Sequence, residues 1–299
     1  MLQRFFREGY LLNFCFGRHV LGDCLEVMRR IPDCTADMIL TDLPYGTTDC
    51  AWDEIIDFSL LWREYNRIAK PNAAVVLFSA EPFTAKLIMS NPRAFRYLWY
   101  WIKPYSTGFT FAKYQPMRCV EDICVFYRKM PKYHPQGVKK LDIPKVRKKR
   151  AVADSVYKSR TLTKEHVQRY TGYPKNTLEF SSEVFGKNTR LHPTQKPLKL
   201  CEYLIKTYTD PGDVVLDSCS GSGTTAEACI RMGRNYIAIE KSETYYSRAG
   251  VRLEKAEAET RETFSRIREN TRRLMKYAED IADLAAETLP PSVVPQSHA

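Results

Sequence analysis

Val214-Val215-Leu216-Asp217-Ser218-Cys219-Ser220-Gly221-Ser222-Gly223-Thr224-Thr225, followed by Asn235-Tyr236-Ile237-Ala238-Ile239-Glu240, decides the fold class. An apolar run ends at an acid, a glycine turn follows, and a helix opens at once. Ala226, Ala228, Cys229, Ile230 and Met232 carry the helix to Gly233, a good C-cap. A second apolar strand then ends in Glu240. Strand, turn, helix and strand in this order form a parallel crossover unit, the building block of a doubly wound α/β sheet. The glycines let the backbone approach a ligand closely, and an acid after the second strand can accept both hydroxyls of a ribose. Gly221-x-Gly223-x-x-Ala226 also fits a dinucleotide fingerprint, so these residues alone leave the nucleotide open. A triphosphate loop is excluded, because no Gly-Lys-Ser/Thr follows.

A second strand end sits far upstream. Ala36-Asp37-Met38-Ile39-Leu40-Thr41 reads as a buried strand that runs into Asp42-Leu43-Pro44-Tyr45-Gly46. In an open α/β sheet, ligands bind at the carboxyl ends of strands. A carboxylate, a backbone carbonyl and a ring suit an exocyclic amine on a flat base: the oxygens accept its hydrogens and the ring stacks on its face. An ordinary strand-end turn could carry the same five residues. His192-Pro193-Thr194-Gln195-Lys196-Pro197 opens a helix with Leu198, Cys201, Leu204, Ile205 and Tyr208 on one face. Read plainly, it is a proline-rich helix entry with a solvated lysine.

Together these segments resemble the amino-group DNA methyltransferases. Asp42-Leu43-Pro44-Tyr45 resembles motif IV, usually Asp-Pro-Pro-Tyr, and Leu216-Asp217 to Thr225 resembles motif I, which binds S-adenosylmethionine. The His192–Pro197 hexapeptide is similar to the box preceding the cofactor strand, and Gly22-Asp23-Cys24 to the family's Gly-Asp-Cys segment. The order, catalytic box first, resembles the β group, and the resemblance covers roughly residues 10–255. It implies a doubly wound, Rossmann-like methyltransferase sheet with a small inserted target recognition domain and a C-terminal helical extension. It further implies that Asp42, Leu43, Pro44 and Tyr45 handle the target base. Asp23, Cys24, His192, Thr194, Lys196, Asp217, Ser220, Gly221, Ser222, Gly223, Thr224 and Glu240 would bind S-adenosylmethionine. The chain departs from the family box at Leu43. The family uses the backbone carbonyl there, which leucine keeps, and Pro44 holds its predecessor extended. Asp leading the box leans toward adenine N6, with cytosine N4 as the alternative.

Composition fits that reading. The 299 residues carry 46 Lys and Arg against 35 Asp and Glu, a net charge of +11 that suits a polyanion such as double-stranded DNA. Nine cysteines form no Cys-x-x-Cys pair, so neither zinc nor a redox pair is expected, and scattered free cysteines suit a cytoplasmic protein. No cysteine follows a proline, which excludes the Pro-Cys nucleophile of cytosine-C5 methyltransferases. Met1 to Phe16 lacks a convincing cleavage site and is too short to span a bilayer.

The expected organisation is a catalytic part over 1–130, a recognition domain over 131–190, a second catalytic part over 191–255, a helical extension over 256–289 and a tail over 290–299. Phe58, Leu61, Trp62, Tyr65 and Ile68 recur at helical spacing before the strand Ala73 to Phe78. Tyr97 to Ile102 and Ile123 to Tyr127 read as aromatic-rich strands joined through the polar loop Ser106 to Lys113, which resembles a loop near the flipped base in relatives. From Lys132 to Arg150 there are eight Lys or Arg and one acid. Such a run is usually a solvated arm. Inside a recognition domain, Lys139, Lys140, Lys145, Arg147, Lys148, Lys149 and Arg150 would grip phosphates, with Gln168, Arg169, Lys175 and Asn176 reaching base edges. Ile267, Leu274 and Ile281, spaced by seven on a helix reaching Thr288, predict a buried face, within the chain or in a homodimer.

Two rival classes share some of these features. A dinucleotide-dependent oxidoreductase would use the glycine turn but leaves the other boxes unexplained. A catalytically inactive DNA-binding module would be consistent with Leu43. No nuclease signature stands out, so the expected setting is a solitary or phage-borne modification enzyme in a bacterial cell or an infected host.

Overall fold

A computed structural model describes residues 17–46, 53–147, 166–181 and 195–288. Its centre is an eight-stranded sheet. In chain order the strands are β1 (Gly17–Leu21), β2 (Ala36–Asp42), β3 (Ala69–Ser79), β4 (Phe95–Thr107), β5 (Arg118–Phe126), β8 (Thr177–Glu179), β9 (Val214–Asp217) and β10 (Asn235–Glu240). They lie side by side as β1-β10-β9-β2-β3-β5-β4-β8. The first five of that series are mutually parallel, β5 runs antiparallel to both β3 and β4, and β8 joins β4 in parallel. The inner parallel strands β10, β9, β2 and β3 carry long apolar runs because both faces are covered, whereas the edge strand β1 has no buried residue. In β2, Met38, Ile39 and Leu40 are fully buried, as are Val76 and Leu77 in β3.

Short helices connect the strands. They are α1 (Cys24–Met28), α2 (Phe58–Ile68), α3 (Phe83–Ser90), α4 (Leu198–Tyr208) and α5 (Thr224–Met232). Asp57 caps α2, its carboxylate accepting from Ser59 N at 2.8 Å and Leu60 N at 3.0 Å. The expected apolar face is buried through Leu61, Trp62, Tyr65 and Ile68. Strand β3 begins directly at the end of α2, so Pro71 and Asn72 lie within the strand rather than in a preceding turn. Aromatic side chains of β4 are core residues on one face: Trp99 donates through Nε1 to the Tyr208 hydroxyl at 2.7 Å.

β9 leads through α5 to β10 on one side, while β2 leads through α2 to β3 on the other. Neighbouring strands whose connections depart in opposite directions open a crevice at their carboxyl ends, the usual ligand position in such sheets. Asp42 ends β2 and Asp217 ends β9, so both boxes reach this crevice.

The expected recognition segment is only partly separate. Strands β6 (Lys139–Arg147) and β7 (His166–Thr171) form their own antiparallel pair. Near its start, however, His134 N donates to Thr207 O at 2.8 Å and Lys132 pairs with Asp210 and Asp213. Toward its end, β8 completes the edge of the main sheet, and Tyr100 N donates to Asn176 O at 2.7 Å. Lys148, Lys149 and Arg150 lie outside the described residues.

The chain divides into two compact units at Leu253 and Glu254, within α6 (Glu243–Thr288). In the second unit, Ile267 is 55% and Leu274 69% exposed, so among the described residues of that unit the expected burial of the row is not found. Seven-residue spacing fixes which side chains share a face but not what covers them. The Ile281 side chain lies outside the described residues. Among the described residues, no helix is long and apolar enough to cross a membrane.

Candidate active site and cofactor cleft

A cavity of about 960 Å³ runs from the end of β2 to the ends of β9 and β10. At one end stands the Asp42 box. Leu43 turns its side chain into the core, where it is 4% exposed, and Pro44 and Tyr45 line the cavity. The turn is tied down by Asp53, whose Oδ1 accepts from Tyr45 N at 2.7 Å and Gly46 N at 2.9 Å. The Tyr45 ring stacks on Phe83 with centroids 5.0 Å apart, and its hydroxyl donates to Asp42 Oδ1 at 2.7 Å. Burial pushes the Tyr45 phenol well above its usual range, and the negative charges of Asp42 and Glu121 add to this. The hydroxyl therefore remains a donor to Asp42 across neutral pH.

Asp42 Oδ2 accepts from Lys196 Nζ at 2.5 Å. Lys196 enters from the segment before α4; its side chain is 9% exposed, with Nζ 3.6 Å from Glu121 Oε2 and 5.2 Å from the Phe78 ring centre. Burial opposes the charge on Lys196, but Asp42 and Glu121 outweigh it and hold the ammonium protonated. Glu121 Oε1 is paired with Lys103. Burial likewise opposes ionisation of Glu121, and the two lysines overcome it.

At the other end stands the glycine loop. Gly221 N donates to Glu240 Oε2 at 2.7 Å and Ser242 N to Glu240 Oε1 at 2.8 Å, which fixes that carboxylate at the end of β10. Burial raises the pKa of Glu240. Gly223 sits at φ +74°, a conformation that favours glycine, and a Cβ there would come within 3.2 Å of the Ala249 Cβ. Arg252 braces the loop from α6, donating to Ser222 O and Thr224 Oγ1, each at 3.0 Å, and pairing with Glu227. Asp217 is buried beneath the loop, with Oδ1 accepting from Cys219 N at 3.2 Å. Burial pushes its pKa up to about 7. Asp23 caps α1 by accepting from Leu25 N at 3.0 Å and lines the same cavity with Cys24.

Of the residues singled out in the sequence, Asp23, Cys24, Asp42, Leu43, Pro44, Tyr45, Lys196, Asp217, Ser220, Gly221, Ser222, Thr224 and Glu240 line this one cavity. Gly223 lies behind it as the start of α5. His192 and Thr194 lie outside the described residues. Lys196, expected toward the cofactor, has its ammonium on Asp42. Asp53, Lys103, Glu121 and Arg252 were not anticipated. Only Glu121 left a signal: an acid in the alternating row that Ile123 and Val125 continue as apolar residues on one strand.

The residues fit a cationic nucleoside. Glu240 stands at the end of the second strand where a ribose hydroxyl pair would meet it, Gly221 and its neighbours offer close backbone approach, and Asp217 is a buried acid of the kind a cation would suit. This is a nucleoside-binding α/β protein whose cleft reaches the Asp42 box. Residues 36–250 match the N6/N4 DNA methylase family, and the chain belongs to that family of S-adenosylmethionine-dependent amino-methyltransferases. It is 28% identical over 252 residues to the type II methyltransferase M.HpaI of Haemophilus parainfluenzae, covering 79% of this chain and 74% of that protein. The DNA adenine methyltransferase YhdJ of Escherichia coli (strain K12) is 26% identical over 262 residues, covering 83% of this chain and 86% of YhdJ. The structure of the PvuII DNA methyltransferase, cytosine-N4-specific, shares the fold with a TM-score of 0.59 at 19% identity, covering 81% of this chain and 87% of that one.

Proposed function

We propose that this protein methylates adenine N6 at a specific site in duplex DNA, using S-adenosylmethionine and direct transfer to a flipped base. The observation that carries the reading is that a single cavity joins the Asp42 box to the Asp217–Glu240 cleft. Preference for adenine rests on Asp42 leading the box and on the name of YhdJ.

In this reading Glu240 holds the ribose, Asp217 faces the methionine ammonium, and the loop from Ser220 to Thr224 approaches the nucleoside through its backbone. When bound, the cofactor supplies a methyl group on a sulfonium. Leaving the stack costs the base a few kcal/mol, and the Tyr45 ring offers it a new stacking surface. Asp42 and the Leu43 carbonyl accept the two amine hydrogens, which turns the nitrogen lone pair into the cleft. Asp42 also stabilises the positive charge that grows on that nitrogen. Aligning the amine with the methyl group is itself a large part of the rate gain.

The segment 131–190 is the proposed recognition domain, supported by the separate β6–β7 pair and by Lys139, Lys140, Lys145 and Arg147 along β6. Lys148, Lys149 and Arg150 extend that basic run. The same proposal includes a cytoplasmic setting in a bacterium or phage-infected host, and action as a monomer or homodimer, with no partner nuclease inferable from the sequence. Sequencing DNA from cells expressing the protein, with modified bases read directly, tests it. N6-methyladenine at one short motif is the expected result; N4-methylcytosine would transfer the mechanism to the other base, and unmodified DNA would refute the proposal.

A further inference from the structure

Glu121 Oε2 is buried and makes no hydrogen bond among the described residues. A buried carboxylate oxygen without a hydrogen bond is costly and calls for a physical reason. Its partner oxygen is held by Lys103, so Glu121 cannot turn freely to satisfy itself. Lys196 Nζ lies 3.6 Å from this oxygen, but that ammonium is engaged by Asp42 Oδ2 at 2.5 Å. Each oxygen of Asp42 thus already accepts a hydrogen bond, Oδ1 from the Tyr45 hydroxyl and Oδ2 from Lys196. Under the function proposed above, an entering amine must donate to this carboxylate, and the amine nitrogen becomes positive during transfer. An ammonium bound to the acceptor competes for its lone pairs and repels the growing charge.

We propose that Lys196 is a movable cap on Asp42: as the amine enters, the ammonium shifts to the open Oε2 of Glu121 and frees Asp42 Oδ2. Glu121 is then a positioning residue that acts through Lys196. The shift needed is about 1 Å, from 3.6 Å to an ordinary hydrogen-bond length. The ammonium itself stays paired, because it exchanges one buried carboxylate for another, and Asp42 is left to the amine, whose nitrogen becomes positive during transfer.

The test uses single-turnover transfer of labelled methyl to a duplex carrying the identified site, at saturating cofactor. Glu121→Gln keeps the shape and removes the charge, so the transfer rate should fall at least about tenfold while cofactor and DNA dissociation constants stay within about twofold. In a Lys196→Met background the cap is gone, so adding Glu121→Gln should cost less than about twofold. A wild-type rate in Glu121→Gln, or an undiminished cost in the Lys196→Met background, overturns the proposal. A ternary structure of the wild-type protein with a nonreactive cofactor analogue and duplex decides the matter even if a variant does not fold. Lys196 Nζ should lie about 3 Å from Glu121 Oε2; an ammonium still on Asp42 Oδ2 overturns the cap. Wild-type protein that transfers no label to DNA refutes the methyltransferase reading itself, and the cap falls with it.

Discussion

Asp217→Asn is the substitution whose consequences follow most directly from the structure. The carboxyl is buried, and burial raises its pKa from 3.8 to about 7. In the unfolded chain it ionises near its ordinary value, so between those two values the folded state holds a proton that the unfolded state has lost. Stability therefore falls as pH rises through this window, and the cost is complete above the folded pKa. A shift of about 3 pKa units corresponds to an upper bound of about 4 kcal/mol. Asparagine keeps the acceptor for Cys219 N and carries no charge, so the cofactor-free variant should melt higher than the parent at about pH 8 and alike near pH 4. Cofactor binding should move the other way. If the ammonium needs the ionised acid, affinity tracks the ionised fraction, roughly nine-tenths at pH 8 and one-tenth at pH 6, an affinity ratio of about tenfold. Calorimetric titration of S-adenosylmethionine across this range should show that slope in the parent and a flat, weak profile in Asp217→Asn. A flat profile in the parent, or parental affinity in the variant, would refute the assignment of Asp217 to the cofactor cation.

Four further outcomes are expected. Asp42→Ala should lower methyl transfer at least about a hundredfold, measured in a single turnover, with cofactor affinity nearly unmoved. Tyr45→Phe removes the hydroxyl that donates to Asp42 at 2.7 Å and should slow transfer by about tenfold, the worth of one such bond; an unchanged rate would mean that Asp42 is positioned without it. Leu43→Pro restores the usual family residue but removes a buried side chain, so it should lower the melting temperature. Neutralising Lys139, Lys140, Lys145 and Arg147 should reduce the slope of log binding constant against log salt by about 0.9 for each phosphate that these side chains had neutralised. An unchanged slope would make β6 a solvated arm.

The inner parallel strands were legible because each announces itself locally, whereas the edge strand β1, Gly17-Arg18-His19-Val20-Leu21, carries no such signal. Val214 to Asp217 and Asn235 to Glu240 are unbroken apolar runs around a glycine turn, and such runs belong to strands covered on both faces. That Asp42 and Asp217 open on one crevice was also within reach of the sequence, through the rule for doubly wound sheets. Strand β8 was not. Thr177–Glu179 is three residues long, too short for a periodic signal, and only its pairing with Tyr100, Trp101 and Ile102 assigns it to the main sheet. The row Ile267 and Leu274 shows the opposite failure, a clear period whose cover the sequence does not specify.

Within the site, the residues hidden from sequence reading are those defined by their partners. For Lys196 it is the partner that was hidden: the family resemblance points it toward the cofactor, and only the fold brings it to Asp42, 154 residues away. Glu121 is an ordinary acid on a strand until Lys103 and Lys196 converge on it. Buried charges are tolerated only as sets, because each ion taken from water needs an opposite neighbour to offset its desolvation. Lys196→Met alone leaves Asp42 without its cation and leaves Glu121 with Lys103 only. The sequence can name an acid that ends a strand, but a chain of four charges drawn from β2, β4, β5 and the entry to α4 exists only once those elements share one end of the sheet. The proposed chemistry depends on that shared end, since an acceptor held by one movable cation can be firmly placed before the base arrives and still be open when it does.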